Sequence, residues 1–153
     1  MDKTQIQNLI QELIEKVNIP VNEIVIDEEV GNVWFKVSVN EPHLFTAKDG
    51  EALNALNHIV RRMLDSGRDE AKNNNFIIDI DDFQKKRIDN VKAVAHLMAE
   101  RARYFKSSVE VDPMSSFERR IVHEFLADQA DVKTESVGTG PTRRVVIQYL
   151  GSI

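Results

Sequence analysis

Arg119 and His123 stand four residues apart, a spacing that on a helix sets two side chains next to each other on one face. An arginine offers five N–H donors in a planar fork and a histidine a ring that can donate and accept, so the pair suits a phosphate or a stacked base. Phe117, Ile121, Val122 and Phe125 bracket the pair, and Arg120 adds a further positive charge. Downstream, Gly138-Thr139-Gly140 precedes Arg143 and Arg144. That turn would contribute pliable backbone amides and two more guanidiniums to an anion site. Taken alone, an arginine and a histidine four apart also occur on solvated or partly buried helix faces, and the spacing does not decide between the two readings.

Other residues of chemical interest carry less. Asp79, Asp81 and Asp82 are hard-cation donors by type, but they fall where a strand ends and a helix begins, and Asp81 or Asp82 is expected to cap that helix. His43, His58 and His96 lack the spacing of a metal site, and His96 falls among apolar helix positions, so no metal is expected. With no cysteine there is neither a thiol nucleophile nor a disulfide framework. No phosphate-binding loop, nucleophile elbow, zinc-protease motif or dinucleotide fingerprint occurs. The expectation is a binding protein, not an enzyme, that needs no cofactor. Trp34 and Phe35 could stack bases, but strand neighbours face opposite ways, so at least one belongs to a core.

The elements that must position these residues follow from periodicity. Ile6, Leu9, Ile10, Leu13, Ile14 and Val17 recur at helical spacing, predicting a helix over 3–17 that ends before Pro20. Ile24-Val25-Ile26 and the run from Val33 to Val39 flank Glu29-Val30-Gly31-Asn32, which reads as a hairpin. Pro42 opens a short helix, 46–50 form a loop, and Ala52, Leu53, Leu56, Ile59, Val60, Met63 and Leu64 mark a longer helix. After a polar stretch at 66–75, Phe76 to Asp81 is β-rich, so the first half reads α-β-β-α-α-β. Ile88, Val91, Ala95, Leu97, Met98 and Ala102 mark a helix over 83–105 whose exposed positions would carry Lys85, Lys86, Arg87, Lys92, Arg101 and Arg103. A strand at 109–111, a helix capped by Ser115 or Ser116, and two runs at 132–137 and 144–147 flanking the glycine turn complete an α-β-α-β-β half.

The charge is distributed unevenly. The whole 153-residue chain is formally −5 at pH 7, yet residues 1–82 hold 8 basic and 16 acidic side chains and residues 83–153 hold 12 and 9. A phosphate-binding surface therefore belongs in the second half. The fold class expected is α+β, as two small domains at 1–82 and 83–153. The 42% hydrophobic and 29% charged content is that of a folding globular chain. The absence of a long apolar run or signal core makes a cytoplasmic location without membrane insertion the default.

Phe117-Glu118-Arg119-Arg120-Ile121-Val122-His123, together with the stretch from Thr134 to Ile147 that holds Gly138-Thr139-Gly140-Pro141-Thr142-Arg143-Arg144, closely resembles the domain named for its R-x-x-x-H motif. Glu110-Val111-Asp112-Pro113-Met114 and the junction from Asp79 to Arg87 extend the similarity, which covers about 76–150 and points to the Jag (SpoIIIJ-associated) family. The resemblance implies binding of single-stranded RNA or DNA, with Arg119 and His123 at the site. It also implies that a KH domain of type II comes first, which is the order read from periodicity. A KH unit grips the nucleic-acid backbone with a GXXG loop at a helix start. Here that loop is Ala47-Lys48-Asp49-Gly50; the first glycine is missing, and Asp49 and Glu51 repel a phosphate. This unit is therefore expected to bind RNA weakly or not at all and to contact protein instead. The small N-terminal domain of longer Jag proteins is expected to be missing. The family implies a post-transcriptional or cell-envelope and division role, and pairing of the KH-like unit with a small KH protein of the KhpA type or with itself. The alternative is a protein-interaction scaffold with a vestigial nucleic-acid site.

Overall fold

The computed structural model describes residues 2–29, 31–65 and 75–151, and the chain divides into two compact units, Met1–Lys85 and Lys86–Ile153. Most of the polar stretch expected at 66–75, and Val30 in the expected hairpin turn, lie outside the described residues. In the first unit, helix α1 (Lys3–Lys16) begins where the Asp2 carboxylate accepts the Thr4 amide, and it buries Ile6, Ile10 and Ile14. Strands β1 (Val21–Glu29) and β2 (Asn32–Val39) pair antiparallel. Helix α2 (His43–Asp65) then crosses over to β3 (Phe76–Ile80), which lies parallel to β2 and gives the order β1-β2-β3. A parallel neighbour requires such a crossover. β1 runs well beyond the apolar triplet that marks it in sequence, because an edge strand with polar residues such as Asn22 and Glu23 gives no apolar signal there.

The core of this unit joins α1, β2, α2 and β3 through Ile10, Phe35, Val37, Leu53, Val60 and Ile78. Trp34 faces away from Phe35 on β2 but is also buried, so neither ring is displayed for stacking. Asn57, buried on α2, donates to the Leu53 and Ile78 carbonyls and accepts the Ile78 amide, each at 3.0 Å, which clips α2 to β3. Its polar atoms are thereby satisfied where an unpaired amide would be costly.

Helical geometry within α2 breaks at Ala47, which is extended, and at Lys48, Asp49 and Gly50, whose φ values are 52°, 57° and 74°. This matches the expected sequence of short helix, loop and longer helix. A Cβ at Gly50 would stand 2.4 Å from Phe83 Cε1, so both the backbone conformation and the contact demand glycine.

The start of helix α3 (Phe83–Phe105) corrects one expectation. Its first turn is capped by neither Asp81 nor Asp82, both of which sit at positive φ and are exposed, away from the extended geometry an N-cap uses. The cap is Asp79, only 1% exposed, which accepts the Ile80 and Gln84 amides at 2.8 Å and the Lys85 amide at 3.1 Å. Burial raises its carboxyl above the usual range against the pull of those three amides. With Phe83 packed on the first core, the first turn of α3 belongs to the first unit, and the division falls at Lys85 instead of Asp82.

In the second unit, α3 is followed by β4 (Val109–Glu110), α4 (Ser116–Leu126), β5 (Val132–Val137), a 3-10 turn at Gly140–Thr142 and β6 (Arg144–Tyr149). The strands form an antiparallel sheet ordered β4-β6-β5. Val91, Ala95, Ala99 and Ala102 turn α3 toward Val111, Val122, Leu126, Val145 and Ile147. Leu97, marked as core by its residue type, is exposed, and so is His96, because the buried face follows 88, 91, 95, 98–99 and 102. Arg87 and Arg103, expected as exposed, are partly buried. Among the described residues no helix is long and apolar enough to cross a membrane.

Candidate nucleic-acid interface

The second unit holds its arginines and histidine in two distinct ways. Helix α4 starts with a capping box: Ser115 Oγ accepts the Glu118 amide at 3.3 Å, and the Glu118 carboxylate accepts the Ser115 amide at 2.8 Å. The same carboxylate accepts from Arg87 Nε of α3 at 3.2 Å, so the helix that carries Arg119 and His123 is fixed at its first turn. Burial pushes Glu118 upward, but the bonds from Ser115 and Arg87 outweigh it and hold the carboxyl below its ordinary value near 4.5. A carboxyl depressed on folding stabilises above its unfolded value, and that stability is lost as pH falls through the folded value. Asp131, held low by the Arg103 guanidinium, adds a slope of the same sign. Urea titrations followed by circular dichroism should show stability falling as pH drops below about 4.5, with a shallower fall for Glu118→Gln.

From this anchored start, α4 buries Ile121, Val122 and Leu126 and leaves Arg119 and His123 half-buried on a neighbouring face. His123 lies over the inner face of β5. Val132, Thr134 and Ser136 alternate onto that face, and after Val132 it turns polar. Thr134 Oγ1 lies 2.7 Å from His123 Nδ1 and Ser136 Oγ 2.8 Å from Nε2. A hydroxyl can donate or accept, so the two hold the ring's plane whichever nitrogen carries the proton.

Arg119 Nη1 donates to the Met114 carbonyl at 2.7 Å, and the Met114 amide donates to the Arg143 carbonyl at 3.3 Å. Arg143 Nη1 in turn donates to the Gly138 carbonyl at 2.8 Å. One connected set of bonds thus runs from Arg119 through Met114 and Arg143 to Gly138, two residues from the Ser136 that touches His123. Gly138 has φ 89°, and a Cβ there would meet the Thr142 carbonyl oxygen at 3.1 Å, so this turn closes only with glycine. Gly140 opens the 3-10 turn that delivers Arg143.

Arg119, His123, Gly138, Gly140 and Arg143 are therefore brought together. Arg120 and Arg144 are not. Arg120 is exposed and paired with Glu124 at 2.8 Å. Arg144 sits on the other face of β6 from the buried Val145 and grips Glu110 of β4 at 2.9 and 3.3 Å. The loop Ala47-Lys48-Asp49-Gly50 belongs to the Met1–Lys85 unit, where Lys48 and Asp49 are exposed and Gly50 is buried against Phe83. Its remaining glycine packs against Phe83. Thr134, Ser136 and Met114 were not found from sequence. The period of two along β5 carries a signal for the hydroxyls, whereas the Met114 carbonyl, being backbone, leaves none.

A family model, that of the R-x-x-x-H domain, matches residues 89–149. The chain is 28% identical over 130 residues to the RNA-binding protein KhpB of Bacillus subtilis (strain 168), an alignment covering 84% of this chain and 62% of that protein. It is 30% identical over 124 residues to the RNA-binding protein KhpB of Lactiplantibacillus plantarum, covering 80% of this chain and 38% of that one. It is 26% identical over 153 aligned positions to the protein of the same name in Clostridium symbiosum. The chain thus spans 62% and 38% of the length of the first two relatives.

Proposed function

From the premise that this chain is a homologue of the KhpB (Jag) proteins and carries an R-x-x-x-H domain, we propose that it binds single-stranded RNA at the face formed by α4, the end of β5 and the turn before β6. One observation carries the reading. Arg87, Arg103, Arg120 and Arg144 of the second unit are each neutralised by a carboxylate, while among the described residues Arg119 and Arg143 are bonded only to main-chain carbonyls. Each spends one of five donors that way and keeps its charge uncompensated. With the oriented imidazole of His123, that gives adjacent groups able to take phosphate oxygens bidentately and to stack on a base.

The similarity to RNA-binding proteins supports RNA as the ligand, and the R-x-x-x-H resemblance supports a single strand. Lys86, Lys92 and Arg101, exposed on α3, would add long-range attraction. The Met1–Lys85 unit retains the element order of a type II KH domain, and its exposed Asp49 and Glu51 suit it to a protein contact, such as a small KH protein, better than to RNA. A role in post-transcriptional or cell-envelope regulation fits this pairing.

The test is fluorescence anisotropy with labelled single-stranded RNA, single-stranded DNA and duplex RNA at several salt concentrations. With two or three phosphates engaged, log affinity for the RNA single strand should fall against log salt with a slope of about −1.5 to −2. A flat salt response, or tighter binding of duplex, would count against the proposal.

A further inference from the structure

Both ring nitrogens of His123 are already engaged within the protein. Thr134 Oγ1 stands 2.7 Å from Nδ1 and Ser136 Oγ 2.8 Å from Nε2, so a polar contact from the ring to a ligand would first have to displace a hydroxyl. The ring keeps its face for a base, and the donors next in line are the hydroxyls themselves. Each has one proton and two lone pairs. A neutral imidazole donates its one N–H to one hydroxyl and takes the proton of the other on its bare nitrogen, which spends one hydroxyl proton inward. A protonated ring donates to both oxygens, and both hydroxyl protons are then free to turn outward. Thr134 and Ser136 are half-buried, and Ser136 lies two residues before Gly138, whose carbonyl holds Arg143.

On the reading that the strand lies at this face, we propose that Thr134 and Ser136 donate to a strand phosphate there, and that His123 is a positioning residue that aims them and takes up a proton as the strand binds. The surrounding charges suit this exchange. The cations nearest the ring are Arg119 on its own helix and Arg143 at the turn, both free of carboxylates. Glu124 is turned to Arg120, Arg87 of α3 is held by Glu118, and exposed Lys133 and Glu135 stand on the opposite face of β5. The β6 partners of Thr134 and Ser136 are the uncharged Ile147 and Val145, with Tyr149 farther along. A phosphate that meets the two guanidiniums thus brings the negative charge that favours an imidazolium. Proton uptake on binding means that affinity rises as pH falls, by at most tenfold per pH unit for one proton.

Anisotropy titrations with a labelled oligouridylate at constant ionic strength, from about pH 8 to 5.5, test this across the histidine range. Wild-type affinity should rise by about tenfold toward acid. Thr134→Val with Ser136→Ala should lose about tenfold at the acid end, while Ser136→Thr, which keeps a hydroxyl, should bind nearly as the wild type does. His123→Phe keeps a ring to stack but has no nitrogen, so its affinity should be flat with pH, and removing the two hydroxyls from it should cost less than about twofold, because they are no longer aimed. Thermal melts check that each variant is folded. A wild type that binds no oligouridylate, or Arg119→Ala binding as well as wild type, would overturn the reading of the site and this proposal with it. If Arg119→Ala weakens binding, then a pH-independent wild type, or a hydroxyl-free variant that binds like the wild type, would overturn this proposal alone.

Discussion

Replacing Arg119 and His123 together by alanine should leave the protein folded and reduce its affinity for single-stranded RNA by about a hundredfold or more at low salt. The size follows from the bonds at stake: a hydrogen bond to a charged group contributes about 1.5–3 kcal/mol, and two such groups are removed. The fold should survive because, among the described residues, Arg119 holds only the Met114 carbonyl and His123 only two side-chain hydroxyls, with Ile121, Val122 and Leu126 still packing α4 on its sheet. Arg119→Lys should recover part of the loss, since lysine keeps the charge but cannot present a fork. Anisotropy titrations of the three proteins beside their thermal melts check this. Equal affinity for the double variant and the wild type would remove these residues from the site.

Asp79→Ala should cost stability heavily, by about 3–5 kcal/mol. It strips the Ile80, Gln84 and Lys85 amides of their acceptor at a position 1% exposed, and a buried donor left unpaired costs about 1–3 kcal/mol. Asp79→Asn should lose less, because its remaining oxygen can still accept while its NH2 faces the Lys85 amide. The carboxyl is raised by burial, so its contribution has the opposite sign to that of Glu118: it is fully present below the ordinary value near 3.8 and declines as pH rises through the folded value. Urea unfolding of wild type and both variants across acidic pH checks the magnitude and the slope. A loss below about 1 kcal/mol for alanine would mean that water caps the helix as well as Asp79 does.

The readable parts of this chain were those set by local spacing. The four-residue interval placed Arg119 and His123 on one face, Ser115 announced the start of α4, and the glycine pair announced the turn to β6. Contacts between distant residues were not readable. Nothing local says that Gly50 lies under Phe83, or that Asp81 and Asp82 adopt positive φ and leave the capping to Asp79. Residue type misplaced Leu97, because a leucine on an amphipathic helix counts as core until the phase of the whole buried face is known. Residue type also gave the arginines equal standing, whereas the carboxylates across the unit, Glu110 facing Arg144 and Glu118 facing Arg87, decide which keep their charge.

The central claim, that single-stranded RNA is held by the second unit and not by the loop of the first, is tested most directly by titrating a short single-stranded RNA into the 15N-labelled full chain and following backbone amide shifts. The account predicts changes concentrated at 119–123, 134–138 and 143, with the amides of 47–53 unmoved. Shifts concentrated at 47–53, with α4 and the end of β5 silent, would contradict it.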